Sequence, residues 1–290
     1  MRLPLLTTLI ISIIGVVIGS FFDLQISTAI ASSTNSFGMF FTMAAPLVGF
    51  AGLSIMSGGF LALAIKGKYK IWAKIIFVIL ALVIFGEGIY FASPEIYGVN
   101  GLNNSSLIWL AYLISALCMS GGTIGGYFIF RNNNNPYLWV AFTIGLLVTG
   151  IALGVGVNVL KNVLHRPRYR VVSITDIPFY SWWNPCKEYH TYMEQYSVSK
   201  EEFKSFPSGH TAYATLLLIP ICIMPFGNSK TNKLQIPLFA VAAAFIIVVG
   251  LARILVGAHY LSDVSFGAAM TTISLFAANE ILVHIKAVNN

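Results

Sequence analysis

Eight runs of about 20 apolar residues leave this 290-residue chain few folds to choose from. A helix needs ~20 apolar residues to cross a bilayer. Within hydrocarbon, each segment must satisfy its own backbone N–H and C=O groups, so such runs become helices. They lie at about 3–22, 38–65, 71–93, 106–130, 136–160, 209–226, 236–256 and 262–285. Hydrophobic residues make up 57% of the chain and charged residues only 9%, where a soluble domain carries about 25% charged. The expected fold is all-α: a polytopic transmembrane bundle of about eight spans, without a soluble domain. Pro46 falls inside the long second run, so a tilt or a kink is expected there.

The N-terminus has the outline of a signal peptide: Arg2, an apolar run to Phe22, then Ala29-Ile30-Ala31. The run is too long for such a signal and Asp23 separates it from the small residues, so an uncleaved first span is expected. Cys118 and Cys222 lie in apolar runs and Cys186 in a long loop. None has metal-binding spacing, and no structural disulfide is expected. Gly121, Gly122, Gly125 and Gly126, with Gly150 and Gly154, form GxxxG patterns suited to close helix packing within the bundle.

A net charge of +7 would suggest nucleic acid in a soluble protein. Here the basic residues sit in short connections, where topology and phosphate binding account for them and no nucleic acid is expected. With a cytoplasmic N-terminus, Arg2, Lys66, Lys68, Lys70, Lys74, Arg131, Lys230, Lys233 and Lys286 mark one face. Asp23, Glu95, the loop 161–206 and the turn at His259 fall on the other. Lys161, Arg166, Arg168 and Arg170 break the rule by clustering on that outer face, which points to function.

The residues suited to chemistry converge at the same outer ends. Ser208-Gly209-His210 opens an apolar helix, where unpaired amides and the positive dipole end suit an anion and Ser208 can also act as an N-cap. His259 and Asp263 are four apart, on one helical face, so Asp263 can orient the ring and leave its other nitrogen as a nucleophile. Arg253 interrupts an apolar run. Pro167 holds its neighbours extended, so Arg166 and Arg168 point to the same side and either can reach a phosphate. Glu87 inside the third span is read as a structural hydrogen-bonding group, and Tyr180, Trp182 and Trp183 as an interfacial belt.

Lys161-x6-Arg168, Pro207-Ser208-Gly209-His210 and Arg253-x5-His259-x3-Asp263 resemble, in order and spacing, the three signature motifs of the type 2 phosphatidic acid phosphatase superfamily. That family includes membrane lipid phosphate phosphatases. The first motif usually ends Arg-Pro, whereas Tyr169 follows Arg168 here; the third usually begins Ser-Arg, and Ala252 stands in the first place. The resemblance implies that His259 attacks phosphorus to form a phosphohistidine, supported by Asp263, and that His210 protonates the leaving oxygen. Lys161, Arg168, Ser208, Gly209 and Arg253 would bind the phosphoryl oxygens, and no metal or cofactor is implied. It further implies a six-span core over 71–290 with an extracytoplasmic loop 161–206, and an extra transmembrane pair over 1–70.

The function expected is therefore an integral cell-membrane phosphatase. It would act on a lipid phosphate or diphosphate of the phosphatidic acid, phosphatidylglycerophosphate or undecaprenyl diphosphate class, at the extracytoplasmic face. Its partners would be the substrate and membrane lipid, with the oligomeric state open. A lipid-to-lipid phosphotransferase and a non-catalytic phospholipid-binding or transport protein are the alternatives. The latter has no use for an acid, a nucleophile and its support.

Overall fold

A computed structural model describes residues 2–32, 34–99, 108–133, 135, 137–224 and 233–288, with backbone alone at 97–99, 155 and 285–288. Lys230, Asn134 and Pro136 lie outside the described residues. Among these the regular structure is entirely helical. Seven helices are long and apolar enough to cross a membrane. Four precede the first motif: α1 (Arg2–Ile30), α2 (Ser36–Lys66), α3 (Ile71–Val99) and α4 (Ile108–Phe130). α5 (Leu138–Thr149) runs on through a π-helical stretch, Gly150–Val159, into α6 (Leu160–Leu164). The last two long helices are α11 (Gln235–Leu255) and α12 (Leu261–Val288). The chain is thus a multi-pass membrane protein.

The sixth apolar run departs from expectation. It forms two short helices, α9 (Gly209–Thr215) and α10 (Leu218–Ile223), broken by a turn at Leu216–Leu217. The fifteen residues Gly209–Ile223 rise ~22 Å at 1.5 Å per residue, against a hydrocarbon core of ~30 Å, and 225–226 lie outside the described residues. The break is tolerable because nearly all of these residues are buried inside the bundle. Non-helical backbone at membrane depth is allowed where protein rather than lipid surrounds it.

α2 is the central long helix and is mostly buried, whereas α1 faces outward along most of its length. Small residues let neighbours approach α2 closely. A Cβ on Gly126 would lie 2.0 Å from the Ile55 carbonyl oxygen, and one on Gly58 would strike the Thr123 carbonyl. The expected GxxxG packing is therefore half internal: Gly122 and Gly126 face α2, while Gly121, Gly125, Gly150 and Gly154 meet nothing within 4 Å. Pro46 lies within continuous helix. α1 packs along α12, and the Arg2–Glu280 pair joins them at the end opposite the motifs.

The loop 161–206 folds as a cap with its own small core of Val171, Ile177, Cys186 and Phe203. It contains α7 (Tyr169–Val172), α8 (Tyr189–Tyr196) and a 3₁₀ turn at Lys200–Phe203. Two backbone bonds tie its arms together, Ser205 N–H to the Arg166 carbonyl (3.0 Å) and Arg168 N–H to the Glu202 carbonyl (2.8 Å). Arg170 and Glu202 pair at 2.6 Å. Burial alone would raise the Glu202 carboxyl, but Arg170 outweighs it and holds the group below the usual range.

Candidate active site

α9 begins at the motif because Ser208 caps it: its hydroxyl accepts from Thr211 N–H (3.4 Å) and from the Thr211 hydroxyl (3.1 Å). The cap is locked to the last helix, since Ser208 N–H donates to the Asp263 carbonyl at 3.0 Å. Behind it, a Cβ on Gly267 of α12 would lie 2.4 Å from the Ser208 carbonyl oxygen, so only glycine permits this approach. Gly209 differs in kind. A Cβ there would meet nothing closer than Lys161 Nζ at 3.5 Å, and would fill the space between that ammonium and the helix start.

α11 ends so as to bring Arg253 and His259 together. The Arg253 carbonyl accepts from both Ala258 N–H (3.1 Å) and His259 N–H (3.2 Å). The reversal requires Gly257 in the left-handed region, φ +64°. Arg253 is buried, and its guanidinium donates to the Thr42 hydroxyl of α2. Its Nε has no partner among the described residues.

His259 is fully buried. Its Nδ1 lies 2.6 Å from the Ser205 carbonyl oxygen. A carbonyl can only accept, so Nδ1 carries the proton and Nε2 presents its lone pair. That Nε2 is buried without a hydrogen-bond partner among the described residues. Burial pushes the His259 ring well below the usual histidine range, and the positive charges of Arg168, Arg253 and Lys161 push it further. The ring is therefore neutral at pH 7. The two histidine rings stand 6.4 Å apart, so both can address one phosphoryl group.

The expected hydrogen bond between His259 and Asp263 is not direct. Asp263 Oδ2 is 3.8 Å from Nδ1. It accepts instead from the Ser205 hydroxyl (2.5 Å) and Tyr260 N–H (2.8 Å). Asp263 thus holds the residue whose carbonyl holds the ring. Periodicity places Asp263 on the right helical face, but a third residue from another segment takes the position beside the imidazole.

The two arginines around Pro167 do not point to a common target. Arg166 is committed to protein: Nε donates to the Tyr180 carbonyl (2.8 Å), Nη1 to Asp263 (2.5 Å) and Ser262 (2.9 Å), and Nη2 to Asp23 (2.9 Å). Its guanidinium lies 4.2 Å over the Tyr260 ring. Each of its three nitrogens has a protein acceptor, so the guanidinium is held toward the two buried carboxylates rather than toward a phosphate. Among the described residues the Arg168 side chain bonds to protein through Nε, at the Glu201 carbonyl (3.0 Å), and it acts electrostatically on His259. The geometry therefore gathers Lys161, Arg168, Ser208, Gly209, His210, Arg253 and His259, with Asp263 behind, and turns Arg166 away.

Four contributors escaped the sequence reading. Glu95 was assigned to an outer connection but lies in α3, its Oε2 3.2 Å from His210 Nε2 off hydrogen-bond alignment. Asp23, assigned the same way, is buried within α1. Thr42 and Ser205 carry no motif. The one available signal was a carboxylate at the edge of an apolar run, a costly placement. Trp182 stacks on Phe206 at 5.4 Å and donates to the Ser20 hydroxyl at 2.9 Å. Glu87 bonds to no described side chain and lines a groove instead. That groove, about 370 Å³, is otherwise largely apolar, with Phe50, Leu53, Phe91, Leu153 and Tyr213 in its walls. Tyr213 lies one helical turn from His210.

Fold and site together define a polytopic membrane protein with histidines and cations gathered at one end of the bundle. A family model for the PAP2 superfamily matches residues 136–284, just over half the chain and all three motifs. The chain belongs to the PAP2 superfamily, whose members are generally phosphatases. No curated protein and no solved structure matched it.

Proposed function

We propose that this protein removes phosphate from a membrane lipid phosphate or diphosphate through a phosphohistidine on His259. One observation carries the reading: the His259 Nε2 is neutral, buried and unpartnered, with its lone pair facing the space bordered by Lys161, Arg168, Arg253 and His210. In the first step Nε2 attacks phosphorus, the bond to the leaving oxygen breaks, and protonated His210 gives that oxygen its proton. In the second, water attacks the phosphohistidine, His210 takes back a proton, and inorganic phosphate leaves with His259 neutral again. Lys161, Arg168, Arg253 and the amides at the start of α9 meet the charge on the phosphoryl oxygens. The largely apolar groove whose wall includes Tyr213, one helical turn from His210, supports a substrate with an apolar chain. The cationic set supplies the stabilisation a divalent ion gives elsewhere, so turnover is expected without one.

The test is phosphate release by the purified protein from phosphatidic acid, phosphatidylglycerophosphate, undecaprenyl diphosphate and a water-soluble monophosphate, with EDTA present. Release from at least one lipid is expected, with vanadate inhibiting. His259→Ala should abolish turnover while lipid still binds. Near-normal release by that variant, or an enzyme killed by EDTA and restored by magnesium, contradicts the reading.

A further inference from the structure

α1 lies outside the family-matched segment 136–284, yet it sends one carboxylate into the centre of that segment. Asp23 is 2% exposed. Its Oδ1 accepts from Ser262 N–H at 2.9 Å. Its Oδ2 accepts from the Ser262 hydroxyl and from Arg166 Nη2, the latter at 2.9 Å. Arg166 in turn donates to Asp263 at 2.5 Å, Asp263 accepts from the Ser205 hydroxyl at 2.5 Å, and the Ser205 carbonyl holds His259 Nδ1 at 2.6 Å. A continuous buried chain therefore runs from the first membrane helix to the imidazole. A membrane helix needs no carboxylate to pack, and a buried one is expensive unless it is used.

We propose that Asp23 is a positioning residue of the active site, fixing Arg166 and through it Asp263, Ser205 and the His259 ring. The inference rests on the phosphatase reading above. Two physical effects follow from the geometry. Without Asp23, Arg166 Nη2 loses its acceptor and the guanidinium is free to draw Asp263 away from Ser205. In addition, attack by Nε2 on phosphorus leaves positive charge on a ring whose Nδ1 keeps its proton. Asp23 and Asp263 against the single charge of Arg166 leave a net negative charge behind that ring, which stabilises the developing cation. Thr42 of α2 plays the parallel part for Arg253, accepting from its guanidinium while its own proton goes to the Gly38 carbonyl at 2.9 Å. The two N-terminal helices thus help to build the site from outside the matched segment.

The experiment compares full-length wild type, Asp23→Asn and Arg2→Ala in detergent–phosphatidic acid mixed micelles, with folded protein measured by thermal unfolding. Arg2→Ala loosens the same α1–α12 seam at its far end and touches nothing near the motifs. For Asp23→Asn, kcat per folded molecule should fall ~10-fold or more, because small misplacements near a reacting group carry large rate losses. KM should stay within ~3-fold, since binding groups are untouched. The vanadate inhibition constant should rise with the loss in kcat, which a merely unstable protein would not show. Arg2→Ala should lose stability alone. If Asp23→Asn does not fold, Ser262→Ala removes one anchor of the same carboxylate and carries the same readouts. An active wild type with kcat and vanadate inhibition unchanged in Asp23→Asn (or in Ser262→Ala where that variant stands in) overturns the inference alone. A wild type inactive on phosphatidic acid and on the lipid panel above overturns the phosphatase reading and the inference with it.

Discussion

At the residue scale, two arginines one position either side of a proline have opposite fates. Arg166 is 1% exposed and pairs with two buried carboxylates. Removing one partner of a buried ionic cluster leaves uncompensated charge, at ~3–5 kcal/mol. Arg166→Ala should therefore reduce stability by about that much and yield little folded protein. Arg168→Ala should fold, because its side-chain bond among the described residues is to one carbonyl, and should lose ~100-fold in turnover as one charge facing the phosphoryl group disappears. Thermal unfolding and phosphate release on the two purified variants separate these outcomes. A stable, inactive Arg166→Ala beside an unfolded Arg168→Ala would reverse the assignment. Sequence order alone left both arginines open, since an extended stretch points residues i and i+2 to one side but says nothing of what waits there.

At the scale of elements, the site depends on how closely α12 meets the start of α9. The Ser208 carbonyl rests against Gly267, and Ser208 N–H bonds to the Asp263 carbonyl. Gly267→Ala should push the α9 cap aside, with a loss of ~1–3 kcal/mol by overpacking and a fall in kcat measured in the same assay. Gly121→Ala is the contrast: its Cβ meets nothing within 4 Å, so the change should leave activity unaltered and raise stability by ~0.5–1 kcal/mol through helix propensity. Equal losses in both variants would refute the idea that the α9–α12 approach matters. The motif letters identified Gly209, whose use is local. Gly267 is invisible in sequence because its constraint comes from a backbone 59 residues away.

For the whole molecule, Arg2, Lys66, Lys68 and Arg131 lie at the end of the bundle opposite the motifs. Lys66, Lys68 and Arg131 border one cavity of about 430 Å³, and Arg2 pairs with Glu280 near the C-terminal end of α12. By the positive-inside rule that end is expected to be cytoplasmic, with catalysis outside, on lipids of the outer leaflet. A cysteine scan in a background lacking Cys118, Cys186 and Cys222 tests this. A membrane-impermeant maleimide on intact cells should label Ser199→Cys in the cap and spare Lys68→Cys. The opposite pattern would invert the topology and the substrate pool, while leaving the histidine chemistry intact.

Sequence by itself determined the helical membrane architecture, because hydrocarbon forces long apolar runs into helices whatever their neighbours. It also determined the order and spacing of Lys161, Arg168, Ser208, His210, Arg253, His259 and Asp263, since motif spacing is a property of the chain. Tertiary structure alone decided that 209–223 is a buried pair of short helices, that Arg166 turns away from the site and that Ser205 stands between Asp263 and His259. It alone brought Asp23, Thr42 and Glu95 to the motifs from helices far earlier in the chain. Those outcomes depend on which buried donor finds which acceptor across helices, and no local pattern records a partner more than a hundred residues distant.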